Sequence, residues 1–328
     1  MSQLLTLTFV AETIRLSIPF ACAALAGVWS ERSGVVHIAL EGVLLSSAFG
    51  AVVATLASGS PAVGVLGGVL VGTLLSLLHG LLSARFRVDA IVSGIALNLL
   101  AASGTRFLLR AWFDSASNSP PIAGFHWGPT GSSGAAMLAR TLLDPVTLLA
   151  VLAVAVTPWV LFRTRFGLRV RAAGENPVAA ASVGIPVVRV RLIALCVSGA
   201  VGALGGIHLA FDQHRFESGM SGGRGFIALA AVILAGWRPV RAALACLVFA
   251  ALEATQILLQ GQRKLPPEIL QMLPYLATLV VLALAAGKAR APAGFRRRAP
   301  RASPRAPRAF LARPPRPDRA DARGRGSR

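Results

Sequence analysis

The sequence predicts an all-α membrane protein, a polytopic helical bundle of about 8–10 transmembrane elements with one short helix on its cytoplasmic side. Three observations lead there. The 328 residues are 55% hydrophobic and only 14% charged, with a mean hydropathy of +0.66, whereas soluble domains carry about a quarter charged residues. The apolar residues fall in continuous runs rather than alternating, which favours helices over a barrel. Lys and Arg collect between these runs in a pattern consistent with one membrane face.

A helix needs about 20 mainly apolar residues to cross the hydrocarbon core. Runs that meet this demand lie near 4–28, 34–57, 61–83, 90–110, 146–162, 191–211, 240–260 and 270–287, and a shorter one runs from Phe226 to Gly236. No basic residue precedes Arg15, so a cleaved signal peptide is a poor reading of the first run. Arg85 and Arg87 follow the third run, six arginines crowd the region from Arg163 to Arg191, and Arg238 and Arg241 follow the short stretch. Placing all of them in the cytoplasm puts the N-terminus outside and the C-terminus inside. It requires 226–236 to cross or re-enter as one element, and eleven residues suit a half-helix. The Ser-, Pro- and Gly-rich loop 111–145 then lies outside.

Residues 1–287 form the membrane domain on this reading, and 288–328 a basic, disordered cytoplasmic tail. The tail has fourteen Lys and Arg against Asp318 and Asp321, so it supplies twelve of the +20 formal charges. Its Arg, Pro and Ala content cannot bury a core; attraction to anionic lipid headgroups is the expected use. The pI near 11.9 belongs mostly to this tail and gives no reason to expect nucleic acid as a partner. Cys22, Cys196 and Cys246 sit inside apolar runs without CxxC spacing, which argues against a disulfide or zinc framework.

The cytoplasmic loop 163–190 holds a well-punctuated short helix. Asn176 is a good N-cap, Pro177 suits the first helical position, Gly184 stands where a left-handed C-cap glycine belongs, and Pro186 prevents continuation. Two turns are too short to be stable alone and too short to span. Small-surfaced and flanked by arginines, the helix suits either a groove on another protein or the membrane surface.

The segment AGENPVAAASVGI (Ala173–Ile185) resembles the coupling-helix region of permease subunits of ATP-binding-cassette importers, in the family that serves ribose-type sugars, branched-chain amino acids and nucleosides. TIRLSIPFACAALAGVWSERSGVVHIALEGVLL (Thr13–Leu45), SGAVGALGGIHLAF (Ser198–Phe211) and GMSGGRGFIALAAVILAGWRP (Gly219–Pro239) are similar to the simple-sugar and nucleoside branch, and the resemblance covers about residues 12–260. It implies a multi-pass subunit of the bacterial inner membrane with no catalytic centre, metal or cofactor of its own. Its implied partners are a cassette ATPase that binds the ATP, a second related permease subunit, identical or not, and an extracytoplasmic substrate-binding protein. On this chain the coupling role falls on Gly174, Glu175, Asn176, Pro177, Ala180 and Gly184. No GxxxxGK[ST] phosphate loop is present, so ATP chemistry must come from a partner. Nucleoside is the expected cargo ahead of simple sugar, with branched-chain amino acids an alternative.

Ionisable groups at membrane depth are costly and often functional. Glu41, Asn98, Gly223, Arg224 and Gly225 are the candidate translocation-path residues. Glu41 is expected to hydrogen-bond a neighbouring helix, although contact with substrate is the other reading. Arg224, flanked by glycines, heads the short stretch, where a half-helix N-terminus would present amide donors to a polar substrate. Arg106 either faces the path or snorkels outward. Glu12 and Arg15 are spaced to pair, as are Glu253 and Gln256. The rows Gly64, Gly68, Gly72 and Ser198, Gly202, Gly206 predict close helix packing. GVVHIALEGVLL (Gly34–Leu45) and GFIALAAVILAG (Gly225–Gly236) share a cadence that an inverted repeat would produce. A secondary transporter driven by an ion gradient would need a relay carboxylate, for which Glu41 and Glu253 are the only candidates. The five scattered histidines (His37, His79, His126, His208, His214) do not suggest a membrane enzyme.

Overall fold

The computed structural model describes residues 6–125, 131 and 133–260, together with positions 272, 276, 279, 280 and 283. Eleven α-helices are described: α1 (Leu7–Arg32), α2 (Leu40–Ser58), α3 (Pro61–Gly80, continued by a π-helical turn Leu81–Arg85), α4 (Ala90–Phe113), α5 (Gly134–Leu143), α6 (Pro145–Arg163), α7 (Arg165–Glu175), α8 (Pro177–Ser182), α9 (Val187–Asp212), α10 (Arg224–Leu234) and α11 (Pro239–Gln260). Seven of these, α1–α4, α6, α9 and α11, are long and apolar enough to cross a membrane, and the chain is a multi-pass membrane protein. The expected span 270–287 and the tail fall almost wholly outside the described residues.

Helix ends follow local chemistry. Thr6, Asp89, Ser133, Asp144 and Thr164 each turn a side-chain oxygen onto a first-turn amide, satisfying donors that the helix cannot. Inside the bundle, α1, α2 and α9 are the most buried helices. Around them α3 turns Gly64, Gly68, Gly72 and Ser76 inward and Leu66, Leu70 and Leu74 outward. In lipid no hydrophobic force drives helices together, so small residues mark the contact and leucines face the hydrocarbon.

The two rows of small residues meet the same neighbours. A Cβ on Gly68 would lie 2.5 Å from Ile207 and 2.8 Å from the Ser47 carbonyl, one on Gly72 would lie 2.7 Å from Ala203, and one on Gly206 would lie 2.0 Å from the Leu44 carbonyl. The backbones of α2, α3 and α9 therefore touch at glycine. The contact is close packing, as expected.

At the end opposite the arginine-rich loop, residues 117–122 run beside 214–218 through Ser218 N to Ser117 O (2.7 Å), Ser119 N to Phe216 O (2.9 Å) and Ile122 N to His214 O (2.8 Å). Within 111–145, residues 117–122 are thus paired rather than a plain loop, and Gly134–Leu143 form α5. After this edge the chain turns back at Met220 and Ser221, both buried, and enters α10.

Candidate functional site

The arginine-rich end is built from α6 through α9. Thr164 stops α6 and caps α7, accepting from Gly167 N at 3.1 Å. In α7 the residues Gly167, Val170, Ala173 and Gly174 are buried, a 3–4 spacing that lays one face on the bundle. The loop reading had foreseen one short helix here, and there are two. Asn176 then caps α8, accepting from Ala179 N at 3.3 Å, with Pro177 at the first position. Gly184 N bonds Ala181 O and Ile185 N bonds Ala180 O, both at 3.0 Å. Gly184 has φ +82° with nothing within 4 Å of a Cβ placed there, so only the backbone conformation requires glycine.

The candidate coupling residues divide by position. Gly174 is buried, because a Cβ there would stand 2.1 Å from the Arg32 carbonyl; it brings α7 against the end of α1. Ala180 is buried as well and anchors α8. Glu175 and Gly184 are exposed, Asn176 and Pro177 half-buried. The protruding apolar groups are Val178 and Val183, each 75% exposed. Sequence reasoning did not single them out, although a valine in the first turn and one just past the last were visible signals.

The five path candidates converge near the starts of α2 and α10. Asn98 of α4 accepts from Gly42 N at 2.8 Å and donates to Ile38 O at 2.9 Å, pinning the first turn of α2. Glu41, in that turn, accepts from Gly223 N and Gly225 N, both at 2.7 Å. One carboxylate therefore serves the N-terminal ends of two helices, where the dipoles favour negative charge. Gly223, at φ +79°, turns its amide toward it. The first-turn amides expected to greet a polar substrate are taken by Glu41 instead.

Arg224 is held by an ion pair with Glu253 of α11, a hydrogen bond to Met220 O at 3.0 Å and the face of Phe20 at 5.8 Å. It is not a snorkelling residue at a plain turn. Glu253 finds its partner in Arg224, where the sequence had suggested Gln256. Glu12 and Arg15 do pair, at 3.0 Å, and Arg15 also reaches Asp212 at 3.3 Å. Arg106 donates to Ser218 at 2.8 Å in an exposed setting.

From the Glu41 contact α2 and α10 run in opposite directions. α2 leads to Thr55, beside Gly64, and α10 leads to Gly236 and Trp237, whose carbonyls accept from Arg32. That antiparallel relation agrees with the shared cadence of the two segments.

A second polar knot lies between α1 and α2. Ser76 donates to Leu195 O at 2.8 Å, so at the 2.9 Å contact between His37 Nε2 and Ser76 the histidine is the donor. His79 stacks on His37 with ring centroids 5.0 Å apart and contacts Val36 O at 2.9 Å and Ser93 at 3.0 Å. Burial, with His79 adding to it, holds the His37 imidazole well below its ordinary range. His37 lies in the turn before α2, whereas Glu41 lies in the first turn of that helix, so the two do not share a helical face. Among the described residues no group of three or more His, Cys, Asp or Glu is placed to hold a metal.

Comparison with known proteins agrees with this architecture. The chain is 36% identical over 296 residues to the nucleoside ABC transporter permease protein NupC of Lactococcus lactis subsp. cremoris (strain MG1363), covering 86% of this chain and 93% of that protein. It is 34% identical over 297 residues to the guanosine ABC transporter permease protein NupQ of Bacillus subtilis (strain 168), again 86% and 93% of the two chains. It is 32% identical over 308 residues to the putative glucose ABC transporter permease protein TsgC13 of Haloferax volcanii, covering 86% and 91%. With residues 9–309 matching the family described as branched-chain amino acid transport system / permease component, the chain belongs to that family of transport permeases.

Proposed function

We propose that this chain is the membrane-spanning permease subunit of an importer powered by a separate cassette ATPase, and that its cargo is a nucleoside. The observation that carries the reading is the 36% identity over nearly the whole of a nucleoside permease, supported by a guanosine permease of similar likeness. In this reading the arginine-rich end faces the cytoplasm, and the ATPase receives Val178 and Val183 of α8 in a groove. α7, wedged against α1 at Gly174, is the strut that passes motion to the bundle. A second permease subunit and an extracytoplasmic binding protein complete the assembly. The C-terminus lies in the cytoplasm.

Cells expressing the chain with its neighbouring transport genes should take up labelled guanosine, competed by other nucleosides and not by glucose or leucine. Uptake should survive a proton ionophore while ATP is kept high. Competition by glucose alone would move the cargo to sugars, and abolition by the ionophore at constant ATP would point to an ion-driven carrier.

A further inference from the structure

Among the described residues, the elbow between α6 and α7 gathers more positive charge than nearby carboxylates answer. Arg32 and Arg171 stand 5.7 and 5.2 Å from the centre of the Phe162 ring, and Arg238 lies within electrostatic reach of Arg32, with Glu175 as the opposing carboxylate. Three guanidiniums thus meet one acid. Arg32 spends donors on the carbonyls of Trp237 and Gly236, while the buried Nε of Arg171 has no partner among the described residues. Arg163, Arg165 and Arg169 are exposed around the same elbow.

Apolar surface adjoins this charge. Trp159 is 63% exposed, one turn before Phe162 on α6, and Leu168 is 59% exposed, one turn before Arg171 on α7. An aromatic side chain within a turn of a span's end sits at headgroup depth, and arginine stems cover apolar surface while their heads reach phosphate. A soluble anion would need only the guanidiniums. An adjoining apolar wall fits an amphiphile.

We infer that the α6–α7 elbow is a binding site for an anionic phospholipid, with its phosphate between Arg171, Arg238 and Arg32 and its acyl chains along Trp159, Phe162 and Leu168. Charge complementarity selects an anionic lipid over a zwitterionic one, whose ammonium would enter a cationic pocket. Since α7 leads through Asn176 directly into α8, a headgroup held by Arg171 braces the helix that supports α8.

The test is native mass spectrometry of the full-length protein in detergent, titrated with phosphatidylglycerol, phosphatidylcholine of the same acyl chains, or inorganic phosphate. Wild type should retain phosphatidylglycerol preferentially. Arg171→Gln and Arg238→Gln should each weaken that binding roughly fivefold, following the usual contribution of one arginine near an anionic headgroup, and leave phosphatidylcholine unchanged. The basic tail is common to every variant and cancels. Should Arg171→Gln fail to assemble, the exposed Arg238→Gln alone carries the comparison. Equal retention of the two lipids by wild type, an unchanged preference in the variants, or displacement of phosphatidylglycerol by millimolar phosphate would overturn the assignment.

Discussion

Glu41 accepts from two amides of the α10 entrance while standing in the first turn of α2. Its charge is answered mainly by backbone, which is how a carboxylate can be kept inside an apolar bundle. Glu41→Gln keeps the shape and loses the charge, so it should cost about 2 kcal/mol, the scale of hydrogen bonds to an ionised group, measured as a lower Tm in detergent. Gly225→Ala would put a Cβ 2.5 Å from Glu41 N, whereas Gly104 has open space around it. The first substitution should therefore cost about 1–3 kcal/mol by overpacking and Gly104→Ala nothing measurable; equal Tm values for both would contradict the contact. At this scale the sequence made Glu41 legible as a structural acid, because an ionisable group at that depth needs a partner. It could not say which partner, since Gly223 is 182 positions away. The same distance problem hid Arg224 as the mate of Glu253.

At the scale of elements, α8 has its caps written locally. Asn176, Pro177, Gly184 and Pro186 act within a few residues of one another, so the helix was readable from the chain alone. α7 was obscured because four arginines between 163 and 171 dominate the composition, although Thr164 and the 167, 170, 173, 174 spacing were there to be read. Asn176→Ala should remove the cap at a cost of about 1 kcal/mol, a large share for two turns, and lower coupled uptake while leaving the membrane level of the protein normal. Val178→Asp with Val183→Asp should abolish co-purification of the ATPase without lowering the permease Tm, because both side chains point away from the bundle. Retained co-purification would remove α8 from the docking surface.

For the whole molecule, stability rests on backbones meeting at glycine and on a few buried polar knots. Gly206→Val should prevent assembly of α2 against α9, since even a Cβ there falls 2.0 Å from the Leu44 carbonyl; loss of the folded peak in size-exclusion chromatography checks it. The knot of His37, Ser76, His79 and Ser93 joins the turn before α2 to α3, α4 and α9. Because His37 is held neutral in the folded protein, the unfolded chain binds the proton more readily. Its contribution is complete above the ordinary histidine value of 6.5 and is lost as pH falls below it. Between about pH 7 and pH 5 the fall in Tm should therefore be shallower in His37→Gln than in wild type, and equal slopes would contradict a neutral His37 in the folded protein.

Hydropathy, helix punctuation and the placement of arginines determined by themselves that this is a multi-pass helical bundle with a short capped helix at its arginine-rich end. Those signals are local, each spanning no more than one helix and its flanks. Tertiary structure decided what long-range contact alone can settle: that the amides of the half-helix belong to Glu41, that Arg224 belongs to Glu253, and that Gly174 and Ala180 face inward while Val178 and Val183 face out. In an apolar bundle nearly every face of a helix is hydrophobic, so periodicity cannot tell the lipid side from the packed side. Only the close approach of backbones and the pairing of the few polar groups fix which faces meet.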